Sequence, residues 1–170
     1  MEMSNHKLTP LDKRIIEGAN RITIYEIQND FNIDKVIGID PGTTNLGVCI
    51  ISGASCFVYQ CKIPRYKEML DRANNVQSLL NSILPQNLDG YCAVIEGASY
   101  AKNYRQVELA EIRAVVILLL NKYNIKAQIM PPKTIRKIAW GNGNIVNPYG
   151  KEFPNDCIAA LGCALAASTI

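Results

Sequence analysis

Val36-Ile37-Gly38-Ile39-Asp40-Pro41-Gly42-Thr43-Thr44 is the stretch on which the reading of this chain turns. A short apolar run leads to a carboxylate, and a Pro-Gly turn follows at once. Val36 to Asp40 therefore reads as a buried strand that ends in an acid at the edge of the core. Leu46 to Ser52 is a second strand, and Gly53-Ala54 turns the chain into a third, Cys56 to Cys61. Together they predict an antiparallel meander.

Downstream, Tyr66 to Leu84 has helical spacing, with Met69, Ala73, Val76, Leu79, Leu80 and Ile83 on one side and Pro85 as the stop. Tyr91 to Glu96 is a short buried strand, apolar until its last residue. Gln106 to Tyr123 is a long helix, Lys126 to Met130 another strand, and Pro132 opens a short basic helix to Ala139. A loop rich in Gly and Asn, Gly141 to Gly150, precedes a helix of small residues that Asn155 caps and that runs to Ala167. This order predicts an α/β fold. Its mixed five-stranded sheet, a three-stranded antiparallel meander plus two parallel strands, is flanked by helices. Upstream, residues 1–33 form an extension without an assigned role, and residues 34–170 form the main domain. The extension reads as helical from Thr9-Pro10 and the spacing of Leu11, Ile15, Ile16, Ala19 and Ile22, although Ile22 to Ile27 also alternate as a strand would.

At 170 residues, with 48% apolar and 19% charged, the chain suits one soluble globular domain. Its net charge of +3 does not by itself announce a nucleic-acid binder, but the distribution is uneven. Between Ala101 and Trp140 lie eight basic residues and two acids, so the rest of the chain is net acidic. A basic half around an acidic site is what a phosphate-cutting enzyme needs; for Lys122 and Lys126 a solvated helix face explains the charge as well. The six cysteines form no CxxC pair and the single histidine is His6, which argues against zinc. Most of the cysteines fall in apolar runs and read as buried free thiols of a reducing compartment. Met1 to Lys7 is polar, unlike a signal peptide, and the apolar run after Asp156 is about 14 residues, too short to span a bilayer. The expectation is a soluble, cytoplasmic protein with no membrane partner.

Three acids stand at unusual places: Asp40 and Glu96 each end a strand, and Asp156 sits on the first turn of the last helix. Taken singly, a strand-end Asp before Pro-Gly is often a turn former and a helix-start Asp offsets the dipole. Taken together they are carboxylates forced to the core edge, where they repel one another unless a cation lies between them. Oxygen donors without a His/Cys cluster favour Mg²⁺, with Mn²⁺ as a substitute, and such a site can hold two ions. No protein nucleophile is evident and no small-molecule cofactor is expected.

Val36 to Val48, the strand ending in Asp-Pro-Gly, resembles the first motif of RuvC-type Holliday-junction resolvases, members of the RNase H-like superfamily. Val94 to Asn103 resembles the second, a strand ending in Glu followed by an aromatic and the pair Lys102-Asn103. Leu109-Ala-Glu-Ile-Arg113 stands where those proteins carry a Gly-Gln-Ala-Arg-like run. Pro132 to Gly143 is similar to their Pro-x-x-Val-Lys-Lys to Gly-x-Gly segment, and Asn155 to Ala160 to their final Asp-Ala-Leu-Ala-type helix. The motifs occur in order from about Val36 to Ala167. The resemblance implies an RNase H-like nuclease domain over residues 34–170, a homodimer, and paired cuts across a four-way DNA junction in recombination and repair, in a bacterial, phage or viral setting. It puts Asp40, Glu96 and Asp156 on metal-ligand positions, and Lys102, Lys133, Arg136 and Lys137 in segments near DNA. Asn103, Arg105 and Arg113 join them as expected nucleic-acid contacts, since phosphate must be drawn to an acidic site. Lys133 or Lys137 also suits charge stabilisation on the cleaved phosphate, and Lys137 is taken as the catalytic one.

Two departures stand out. The family usually carries an acid or histidine three residues before the last Asp; here that residue is Phe153, with Glu152 as the candidate fourth ligand beside it. The stretch from Gly143 to Asp156 is also short, leaving room for a loop where the family fits a helix, with Lys151 as a stand-in for its lysine. Trp140 is a candidate to stack on an unpaired base at a branch point, or else a core residue; Tyr100 and Tyr104 are open to the same two readings. The helix carrying Ile112, Val115, Val116 and Leu119 is either a dimer face or the main core helix. Ile37 to Asn45 also resembles the first phosphate loop of actin-like and sugar-kinase ATPases, but no second lobe or second phosphate loop accompanies it. Other activities on the same fold, a branch or flap nuclease or a non-catalytic DNA-binding module, are the remaining alternatives.

Overall fold

The alternation and runs described above set two faces of a sheet, and helices cover both. In the computed structural model, residues 22–28, 31–65, 68–98, 106–149 and 153–170 are described. The strands are β1 (Ile22–Gln28), β2 (Val36–Pro41), β3 (Asn45–Ser52), β4 (Ser55–Lys62), β5 (Cys92–Glu96) and β6 (Lys126–Met130). The helices are α1 (Met69–Ile83), α2 (Gln106–Lys122), α3 (Pro132–Trp140) and α4 (Asn155–Ala166). Strand order is β1-β4-β3-β2-β5-β6, with β2, β3, β4 and β1 antiparallel in turn and β5 and β6 parallel to β2.

The sheet thus has six strands, not the expected five. The sixth is β1, from the N-terminal extension, pairing along its whole length with β4 from Ile22↔Cys61 to Gln28↔Ser55. The period-two alternation of Ile22, Ile24 and Tyr25, Ile27 decides it: Ile22 and Ile24 join the core on one face of the sheet, Tyr25 and Ile27 that on the other. The part of the extension read as helical, residues 1–21, lies outside the described residues.

On one face, α1 and α2 bury Val76, Leu79, Leu80, Ile112, Val116 and Leu120 against Ile37, Ile39, Val48 and Ile95. Arg72 joins the two helices, 2.8 Å from Glu111 and 3.7 Å from Glu108. The other face is covered by α4, with α3 beside it. Here the side chains are small, Cys157, Ala160, Cys163 and Ala164, and the helix lies unusually low on the sheet. Two glycines make this possible. A β-carbon at Gly38 would collide with the carbonyl oxygen of Ala160 and the backbone nitrogen of Ala164. One at Gly47 would collide with the carbonyl oxygen of Asp156. Asn155 is the first residue of α4 rather than its cap, since the chain enters from Pro154 without a side-chain capping bond; Asn155 Oδ1 instead accepts from Asn147 Nδ2.

The collision at Gly38 is with helix backbone, which cannot give way without lifting α4. Gly38→Ala is therefore expected to lower the unfolding free energy by about 3 kcal/mol, read as an early urea midpoint; an unchanged midpoint would show that α4 is not seated on the strand.

Candidate active site

The register that seats α4 also lines up the acids. β2 faces alternate, so Ile37 and Ile39 enter the core under α1 and α2 while Gly38 and Asp40 face α4. Asp40 pairs with Gly47 on β3, and Gly47 with Gln60 on β4. On the other side Ile39 pairs with Ile95, so Glu96 follows at the level of Asp40. Gln60, Gly47, Asp40 and Glu96 thus form one rung across four strands. Gly47 leaves a gap in it, and the first turn of α4 fills that gap, bringing Asp156 over the rung.

Each acid keeps some exposure to solvent, yet the surroundings of Asp40 and Glu96 disfavour charge. Burial pushes the Asp40 carboxyl well above the ordinary carboxylate range, and repulsion from Glu96 and Asp156 pushes it further. Burial likewise raises Glu96. The opposing influence on both comes from two arginines, Arg136 on α3 and Arg113 on α2. Arg113 Nε is buried and has no hydrogen-bond partner among the described residues. Burial raises both nearby thiols, Cys163 well above the normal thiol range, and Cys163 Sγ donates to the Ile39 carbonyl oxygen at 3.5 Å.

As the side chains stand, no three His, Cys, Asp or Glu residues among the described residues close around a single point that would hold a metal ion. Asp156 Oδ2 is engaged by Gln60 Nε2 at 3.0 Å. The donor set nevertheless fits a hard divalent cation: three carboxylates on neighbouring elements, electrostatically coupled and short of positive charge.

The other candidates divide. Arg113 and Arg136 face the acids. Lys133 and Lys137 are exposed on α3, and neither is among the charges that act on Asp40 or Glu96. Trp140 is not available to a base: it is 7% exposed, meets Tyr149 edge-on with centroids 5.9 Å apart, and covers Gly162. It closes α3, and with Ile135 it is one of the two buried residues of that helix. Phe153 is 5% exposed and packs on Tyr25 of β1, ring centroids 4.7 Å apart. Lys102, Asn103, Arg105, Tyr100, Tyr104, Lys151 and Glu152 lie outside the described residues. Gln60 was missed from sequence. Its signal was a polar residue closing the inward series Cys56, Val58, Gln60 on β4.

No model of a protein family matches the chain. It is 24% identical over 152 residues to the crossover junction endodeoxyribonuclease RuvC of Prochlorococcus marinus (strain NATL2A), covering 77% of this chain and 96% of that one. It is 27% identical over 122 residues to the protein of that name from Rickettsia prowazekii (strain Madrid E), 69% of this chain and 75% of the relative. The fold matches Thermus thermophilus RuvC with a TM-score of 0.58 at 17% identity, over 78% of this chain and 92% of that one. Against the T. thermophilus protein in complex with a Holliday junction substrate the TM-score is 0.57 at 18% identity, over 79% and 93% of the two chains. The fold is therefore RNase H-like, and in sequence and fold the chain resembles the RuvC-type resolvases.

Since folding raises Asp40 and Glu96 above their unfolded values, it favours their protonated forms. That contribution is fully present below the ordinary carboxylate range and is lost as pH rises through the raised values. Metal-free protein is expected to lose stability over that window. Asp40→Asn is expected to raise the melting temperature in EDTA at neutral pH by about 3 °C, measured by calorimetry; a lower value than wild type would contradict the charge-repulsion account.

Proposed function

We propose, from this likeness and this site, that the chain is a metal-dependent endonuclease that resolves four-way DNA junctions by paired phosphodiester hydrolysis. The observation that carries the reading is the rung: Asp40, Glu96 and Asp156 brought together from β2, β5 and α4, with Arg113 and Arg136, among the described residues, offsetting the charge of Asp40 and Glu96. Asp40, Glu96 and Asp156 would hold Mg²⁺, or Mn²⁺ in its place, with Glu152 as the candidate fourth ligand and two ions as the expected complement. Such cations supply the positive charge that activates water and stabilises the leaving oxygen. The chain's own residues do the rest. Arg113 and Arg136 draw phosphate toward an otherwise anionic site. Lys133 and Lys137, exposed on α3, extend that attraction to the flanking strand, and Lys102, Asn103 and Arg105 belong to the same basic segment. Trp140 has no such part, being buried.

A homodimer fits the outer face of α2. Ile112, Val116, Leu119 and Leu120 point into the core, which leaves Val107, Ala110, Ala114 and Leu118 outward. Val107 is 70% and Leu118 69% exposed, an apolar stripe of the kind a twin helix covers. On the neighbouring β6, Ile129 is 50% exposed and extends it. Two such active sites facing one junction account for paired cuts.

Asp40→Asn is expected to abolish cleavage of a labelled synthetic four-way junction in Mg²⁺, by at least about 10³-fold, while gel-shift binding of the junction persists. Linear duplex, single strand and RNA–DNA hybrid run beside it. Cutting of these instead would keep the nuclease and change its substrate; junction binding by wild type without cutting in any metal would point to a non-catalytic DNA-binding module. Leu118→Glu is expected to convert a dimer to a monomer by light scattering and to turn paired nicks into single ones. A dimer that survives Leu118→Glu unchanged excludes this face.

A further inference from the structure

The rung that carries the acids has a fourth polar member. Gln60 sits on the α4 side of β4, in step with buried Cys56 and Val58, and is separated from Asp40 only by Gly47. The first turn of α4 drops into the gap above Gly47, which sets the backbone of Asp156 over the rung, and its charge acts on Asp40. Gln60 Nε2 meets Asp156 Oδ2 at 3.0 Å. A carboxylate only accepts hydrogen bonds, which fixes the amide's orientation with its NH₂ toward Asp156. One oxygen of Asp156 is thereby held, which fixes how the carboxylate is turned.

The residue three places before Asp156 cannot do this work. Resolvases of the type this chain resembles carry an acid or histidine there, whereas Phe153 turns its ring into the core against Tyr25. We propose that Gln60 is a positioning residue that fixes the Asp156 carboxylate for metal binding, in place of a polar group at position 153. This rests on the reading of the site as a metal-dependent nuclease. A neutral amide suits the place: a fourth carboxylate would add repulsion to a rung that is already short of positive charge, whereas a donor restrains Asp156 without adding any. Groups that orient metal-binding side chains typically matter by about 10–100-fold in metal affinity or activity.

The test is Mn²⁺ titration of the full chain by calorimetry, with Gln60→Leu and, as a second variant of similar shape, Gln60→Met. Mn²⁺ affinity is expected to fall by about tenfold in both. Junction binding in EDTA and the metal-free melting temperature should stay at wild-type values, and the lost cleavage should return at raised Mg²⁺. A role in folding alone would move the melting temperature and would not be rescued by metal. Unchanged Mn²⁺ affinity in a folded Gln60 variant overturns the proposal. So does a loss confined to Glu152→Gln, since that would make Glu152 the missing group. If wild type itself takes up no Mn²⁺, the metal-site reading falls, and Gln60 with it.

Discussion

The structure depends on one close approach, the backbone of α4 lying against β2 and β3 at Gly38 and Gly47. Helix and sheet normally stand apart by the thickness of their side chains. Here two glycines on the strands and Ala160 and Ala164 on the helix remove that spacing. The gain is dense packing of backbone on backbone. A second result is positional. Asp156, on the first turn of α4, is carried down to the level of strand-end acids that would otherwise be a side chain's length away. The chemistry of the site follows from the packing of the core, because the same glycine seats the helix and leaves the gap that the helix fills.

Much of this was legible in the sequence. The meander, the two later strands and the helices between them follow from periodicity, and the strand-end positions of Asp40 and Glu96 follow from where apolar runs stop. What was not legible depends on register between distant segments. β1 was ambiguous because Ile22 to Ile27 satisfies a strand pattern while residues before it suit a helix; only pairing with β4 decides. Gln60 carries no motif of its own and matters only because it shares a rung with Asp40. Trp140 was open between two roles because an aromatic beside a glycine turn suits both, and its packing against Tyr149 and Gly162 places it inside.

The electrostatics divide the basic residues in a way composition does not. Lys133, Arg136 and Lys137 are neighbours in sequence, but helical geometry separates them, so that Arg136 faces the carboxylates while the two lysines face solvent. Arg113 does from α2 what Arg136 does from α3. Helix α2 therefore has a core face, an outward apolar stripe and a flank that serves the acids, all within Gln106–Lys122. Arginine suits such a flank better than lysine, since its charge is permanent and less strongly hydrated.

The contact of Phe153 with Tyr25 limits what position 153 can hold. With the Phe153 ring packed on Tyr25 of β1, the position does not readily accept an acid or a histidine. A carboxylate there would face Tyr25 and the apolar wall behind it, desolvated and without a partner. Phe153→Glu would cost stability before it could supply any ligand. Strand β1 and the apolar residue at 153 therefore depend on one another, and a polar donor is more easily accommodated at Gln60, on the half-buried end of the rung, than at 153.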